Sequence, residues 1–193
     1  MSWVEKYERI YAGDRRAWRA WLEEHHASDR GIILVYYKAR SDKPSVSYEE
    51  AVEEALCFGW IDSTIKSIDE ERYMQLFTPR KKGSIWSKLN KERIEKVVAE
   101  GRMTPAGLAV IQAAKDDGSW KILDEVDSLI VPDDLAAALD GKVDARAAYE
   151  ALTDSKKKQL LYRLISAKRE ATRRKRIDFI LRLVTGEEVW PTI

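Results

Sequence analysis

The run Cys57-Phe58-Gly59-Trp60-Ile61-Asp62, answered farther along by Thr78-Pro79-Arg80 and Ser84-Ile85-Trp86-Ser87-Lys88-Leu89-Asn90, concentrates the groups in this chain best suited to chemistry. It brings together two tryptophans, a carboxylate, a guanidinium, hydroxyls and an amide. Arg80 follows a proline that stiffens its approach, and Ser84, Trp86 and Ser87 stand just before a helix whose first amides lack partners. Such amides, with Arg80 as a planar fork and the two hydroxyls as further donors, suit a phosphate or carboxylate. The architectural alternative gives Ser87 the role of N-cap, Asn90 support of the first turn, and Trp86 a hydrophobic staple. Trp60 and Asp62, two apart on an expected strand, project to one face with Thr64 following on it. There Asp62 is a candidate general acid or base. Alternatively Trp60 fills the core and Asp62 pairs with Arg80 across the hairpin.

These residues need elements to hold them, and the patterning predicts mostly helices with one small sheet. Asp14 caps a helix in which Trp18, Trp21 and Leu22 share a face. Residues 31–38 are β-branched and aromatic, hence a strand. Ser47-Tyr48-Glu49-Glu50 is a capping box, opening a helix that stops at Gly59. Trp60 to Ile68 and Arg72 to Phe77 bracket the polar turn Asp69-Glu70-Glu71 as a hairpin, which joins the first strand in a three-stranded antiparallel sheet. Ser87 and Thr104-Pro105 begin two more helices. Residues 119–131 form an acidic connector, followed by a short helix from Pro132 to Asp140. Asp144 and Ser155 cap two further helices, and Glu170 to Val184 forms the last. The expected fold is α+β, mainly helical, with an α+β domain over 1–128 and a C-terminal helical module over 129–193.

Charge is distributed unevenly although the total is only +1. Asp116 to Asp154 carries eleven acids against three bases, and Ser155 to Arg182 eleven bases against two acids. In the last helix Lys168, Thr172 and Arg176 fall along one stripe with Arg173 beside it. The stripe could close an anion site, clamp two parts of the chain together, or contact nucleic acid, with tryptophans stacking on bases. The near-neutral total and the acidic block upstream weigh against nucleic acid.

Other chemistries find no support. His25 and His26 are neighbours and cannot converge on one metal as an i, i+4 pair can, so no metal site is expected. Cys57 sits in an apolar run and reads as a small buried hydrophobe. No glycine-rich phosphate loop, nucleophile elbow or dinucleotide fingerprint is present, so no cofactor is expected. No apolar run approaches the roughly 20 residues of a spanning helix, and membrane insertion is not expected. The N-terminal residues lack an apolar signal core, which predicts a cytoplasmic protein.

Ala55-Leu56-Cys57-Phe58-Gly59-Trp60-Ile61-Asp62, Phe77-Thr78-Pro79-Arg80, Ser84-x-Trp86-Ser87-x-x-Asn90 and Gly101-Arg102-Met103-x-Pro105-Ala106-Gly107 resemble motifs of the YdeI/OmpD-associated family. Val131-Pro132-x-x-Leu135 and Ala167-Lys168-x-x-x-Thr172-Arg173-x-x-Arg176 resemble its small C-terminal module. The resemblance implies a role in bacteriocin protection or antimicrobial-peptide tolerance, a stress function without a settled mechanism. Residues and resemblance together predict a small anionic ligand held by Trp60, Asp62, Arg80, Ser84, Trp86, Ser87 and Asn90, with Lys168 and Arg173 contributing. The alternatives are an enzyme acting on an anionic substrate through Asp62, and a nucleic-acid or protein partner on the basic last helix.

Overall fold

The computed structural model describes residues 3–28, 30–167 and 169–189. It divides into two compact units, Met1–Trp120 and Lys121–Ile193. The first is α+β and the second is helical among the described residues.

In the first unit, β1 (Arg9–Tyr11), β2 (Ile32–Tyr37), β3 (Trp60–Ser67) and β4 (Arg72–Pro79) form one sheet in the order β1-β2-β4-β3. The expected three-stranded antiparallel sheet is therefore a four-stranded mixed one. β1 pairs parallel to β2, with Ile10 opposite Leu34, while β2–β4 and β4–β3 are antiparallel. Three residues are too few to carry a period-two pattern, which hides β1 in the sequence. Its parallel pairing is possible because α1 (Arg15–His25) provides the crossover that parallel neighbours require.

The helices begin where side chains satisfy their first amides. Asp14 accepts from the Ala17 amide at 2.8 Å to open α1, and Ser47 with Glu50 forms the complete capping box of α2 (Tyr48–Cys57). Gly59, at φ +76°, ends that helix; a side chain there would meet Val110 at 2.6 Å. Ser87 caps α3 (Lys88–Ala99), and Thr104 with Pro105 opens α4 (Pro105–Asp116). Trp18, Leu22, Leu34, Tyr36, Leu56, Trp60, Phe77 and Trp86 are buried in the core these elements share. A smaller cluster of Val4, Ile33, Met74 and Leu76 forms separately. β2 is thus covered on both faces, which is why it reads as an unbroken apolar run.

The hairpin departs from simple alternation. Asp62 pairs with Phe77 but Ile65 with Gln75, so Ser63 and Thr64 together oppose Leu76 in a bulge. Thr64 consequently does not continue the face of Trp60 and Asp62.

The second unit contains α5 (Ile122–Asp127), α6 (Asp133–Asp140), α7 (Ala145–Glu150), α8 (Asp154–Ile165) and α9 (Glu170–Val184). Leu135, Leu139, Tyr149, Leu161, Leu164 and Ile180 form its core. Three local expectations change: Asp144 stands at the N-cap position of α7 but its side chain makes no capping hydrogen bond among the described residues. The acidic connector includes a short helix, α5, and α8 is capped by Thr153, whose hydroxyl accepts from Lys156, rather than by Ser155. The earlier cap places Asp154 in the first turn, where a negative charge favours the helix. No helix among the described residues is long and apolar enough to cross a membrane.

Candidate functional site

Arg80 leaves the end of β4 with its amide bonded to the Gly59 carbonyl at 2.9 Å. That anchor aims the side chain across Trp86, with the guanidinium carbon 3.6 Å from the indole centroid. Nη1 donates to the Ile85 carbonyl at 3.2 Å, whereas the buried Nε has no acceptor among the described residues. Arg80 also forms no ion pair among them. Burial pulls its pKa down to about 10, although the charge of Asp62 works in the opposite direction.

A cleft of about 140 Å³ opens beside this stack, lined by Arg80, Lys81, Lys82, Gly83, Ser84 and Trp86 on one side and by α4 on another. Its floor is rigid, because Trp86 is only 2% exposed and packs against Trp120 at 5.0 Å. Asp117 is the acidic member of the lining. Bonds from Ser119 and from the Gly83 amide hold its carboxyl below the usual range. Arg80 and Lys81 also border a second, larger cleft of about 330 Å³ with Tyr7, Gly31 and Thr78.

The other expected site residues are distributed as follows. Ser84 borders the cleft, but its hydroxyl donates to the Lys81 carbonyl at 2.5 Å. Ser87 accepts the Asn90 amide at 3.3 Å as a helix cap, and the Asn90 side chain accepts from Arg93 at 2.9 Å. Trp60 is 1% exposed and donates its indole N–H to the His26 carbonyl, so its ring belongs to the core. Asp62 accepts from Gln75 at 2.7 Å and Tyr48 at 3.2 Å, and lines neither Arg80 cleft. In the second unit Arg173 forms two bonds with Asp134, at 2.5 and 2.8 Å. Lys168 lies outside the described residues. Much of the basic block is engaged locally: Arg174 pairs with Glu170, Lys158 with Asp127 and Arg182 with Glu188. Among the described residues no cluster of histidine, cysteine and acidic side chains is placed to hold a metal ion.

Sequence reasoning missed the strongest electrostatic feature of the first unit. Glu53 and Glu54 are fully buried in α2. Glu53 meets Arg15, Lys96 and Arg102, and Glu54 meets Arg15, Arg19 and Arg102. Burial alone would raise the Glu53 pKa, but bonds from Lys96 and Arg102 leave it lowered. In sequence α2 is amphipathic, with Ala51, Val52, Ala55 and Leu56 on one arc and Glu49, Glu50, Glu53 and Glu54 on the other, so the acids read as a solvated face. What buries them is the tertiary approach of Arg15, Arg19, Lys96 and Arg102, whose charges compensate the two carboxylates. Cys57, one turn on, is buried too, and desolvation followed by the Glu54 charge raises its pKa to about 11.

Residues 10–110, just over half of the chain, match the model of a domain of unknown function, DUF8412. The chain belongs to the DUF8412 family. Residues 128–184 match a second model, OmdA, described as bacteriocin-protection, YdeI or OmpD-associated. The YdeI/OmpD-associated assignment therefore holds for this C-terminal part, while the motifs from Ala55 to Gly107 fall within the DUF8412 match. Arg80 and Trp86 are thus DUF8412 residues, and Arg173 belongs to the OmdA module. No curated protein and no solved structure matches the chain.

Proposed function

We propose that this protein binds a small phosphate- or carboxylate-bearing ligand in the Arg80–Trp86 cleft, and that it serves as a cytoplasmic stress-tolerance protein. The observation carrying this reading is the Arg80 guanidinium, desolvated, stacked on Trp86 and lacking an acidic partner among the described residues. A half-buried cation without a counter-ion is costly, and an anion entering the cleft would offset that cost with a planar, charge-assisted contact. Lys81 and Lys82 add positive charge at the rim, and Asp117 restricts where an anion can sit.

The volume of about 140 Å³ is below the roughly 300–1,000 Å³ common for sites enclosing a drug-sized ligand. The cleft therefore suits one anionic headgroup, with the remainder of the ligand outside. The link to bacteriocin protection comes from the description of the family matched by residues 128–184.

Titration with inorganic phosphate, at constant ionic strength against chloride, tests this function by thermal shift and tryptophan fluorescence. A saturable rise in melting temperature with a change in indole emission is expected, and Arg80→Ala removes both. A flat response in the wild type, or an undiminished one in Arg80→Ala, overturns the reading.

A further inference from the structure

The larger of the two clefts beside Arg80 has a chemistry of its own. Side chains alternate along β4, so Phe77 joins the main core while Met74 and Leu76 face the other way, onto Val4 and Ile33. Thr78, two residues beyond Leu76, points to that same side. Tyr7 packs against the Val4 cluster, which fixes its ring. Gly31 lets Tyr7 and Thr78 converge, because a side-chain carbon there would lie 2.7 Å from the Thr78 methyl and 3.1 Å from the Tyr7 ring. With Pro79, Arg80 and Lys81 these residues border a volume of about 330 Å³.

Every polar side chain of this lining can donate a hydrogen bond. Arg80 and Lys81 donate only, and the Tyr7 and Thr78 hydroxyls each carry one donor. Neither hydroxyl has a hydrogen-bond partner among the described residues, and Lys81 forms no ion pair among them. No acid is among the described lining residues, whereas Asp117 borders the smaller cleft. The two clefts meet at Arg80 and Lys81, the residues common to both linings. Within the chain the Arg80 guanidinium spends one donor, from Nη1 to the Ile85 carbonyl, and keeps others for incoming groups. A neutral hydroxylated group would bring donors to a lining that offers donors. An acceptor-rich, negatively charged group matches it in both valence and sign.

We propose that the ligand of the Arg80–Trp86 cleft carries two anionic groups on one short backbone, the second seated against Tyr7, Thr78 and Lys81. This rests on the phosphate reading of the smaller cleft and names the class of ligand that reading leaves open. Joining the two groups strengthens binding, because the first holds the second at high effective concentration wherever the connection spans the two clefts.

The test titrates the whole chain at constant ionic strength with inorganic phosphate, with diphosphonates joined by one, three or five methylene groups, and with propyl- and pentylphosphonate. Calorimetry reads affinity and stoichiometry. One linker length should bind as a single ligand per chain about tenfold or more tighter than phosphate, with the mismatched lengths weaker. Tyr7→Phe and Thr78→Val keep the packing of both side chains and should each reduce that advantage severalfold, while Arg80→Ala removes binding of phosphate and diphosphonate alike. Saturable phosphate binding with no diphosphonate tighter than phosphate overturns the two-anion proposal and leaves the single-headgroup reading standing. A flat response to phosphate and to every diphosphonate overturns both. An equal gain at every linker length is an effect of net charge, and an equal gain with an alkylphosphonate places an apolar tail in the larger cleft. Either result overturns the proposal, as does an undiminished advantage when Tyr7→Phe and Thr78→Val are combined in a folded chain.

Discussion

Arg80 lies flat on Trp86, its guanidinium carbon 3.6 Å from the ring centroid, and the buried Nε beside that contact faces no acceptor among the described residues. The stack fixes the plane of the guanidinium and partly withdraws it from water without neutralising it. Arg80 is thus held ready for an incoming group at the expense of the empty fold. Replacing such a cation by an apolar side chain of similar length is often neutral or stabilising. Arg80→Met should leave the unliganded melting temperature unchanged or raise it by a few degrees, equivalent to about 1 kcal/mol, while abolishing the response to phosphate. Calorimetric unfolding with and without phosphate checks both halves.

The depressed pKa of Arg80 gives a pH dependence of definite sign. Its value in the folded chain is about 10, well below the ordinary arginine value. Between these two values the unfolded chain binds more protons, so this group makes stability rise with pH there, and its burial is unfavourable below about 10. Phosphate needs the charged form, so its affinity should fall as pH rises through about 10. Isothermal titration at pH 8, 9 and 10.5 reads this directly, with Arg80→Lys as a comparison that keeps a cation but loses the planar fork.

Much of the scaffold was legible because it rests on local rules. The Ser47 capping box, the Ser87 cap, the Thr104-Pro105 start and the hairpin from Trp60 follow from residue type and short spacing, and each occurs where expected. What escaped depends on partners far away in sequence. β1 exists through its pairing with β2 and has no pattern of its own. Asp62 was expected beside Arg80, but the side chains that bond it are Gln75 and Tyr48, brought near by strand register and by the start of α2. Ser84 looked like a free donor because sequence cannot reveal that its hydroxyl bonds the Lys81 carbonyl.

The buried carboxylate of Glu53 should contribute to the acid sensitivity of the first unit. The Glu53 pKa is lowered in the folded chain from an ordinary 4.5. Its contribution is therefore fully present above that value and is lost as pH falls through the lower folded one. Glu53→Gln leaves Arg102 and Lys96 short of a counter-charge and should cost about 3 kcal/mol at neutral pH. The variant should also lose less stability between pH 5 and 3 than the wild type. Urea unfolding at pH 7, 5 and 3.5 measures both effects.

α2 and α4 approach so closely that only glycine fits between them. A side-chain carbon at Gly107 would lie 2.3 Å from the Cys57 carbonyl oxygen and 2.6 Å from the Met103 sulfur. The thioether could move, but the carbonyl cannot, because it already accepts the Thr104 hydroxyl at 2.6 Å and the Thr104 amide at 3.3 Å. In an ordinary helix interior, alanine would favour folding over glycine by up to about 1 kcal/mol. Here the clash must outweigh that preference, and overpacking of this kind costs about 1–3 kcal/mol. Gly107→Ala should therefore lower the stability of the first unit by about 2 kcal/mol. Because α4 also lines the Arg80 cleft through Val110 and Ala113, a displaced helix should weaken the phosphate response as well. Gly107→Ala combined with Met103→Ala separates the two contacts: stability recovers only if the sulfur, rather than the backbone carbonyl, is the obstacle, and the geometry predicts no recovery.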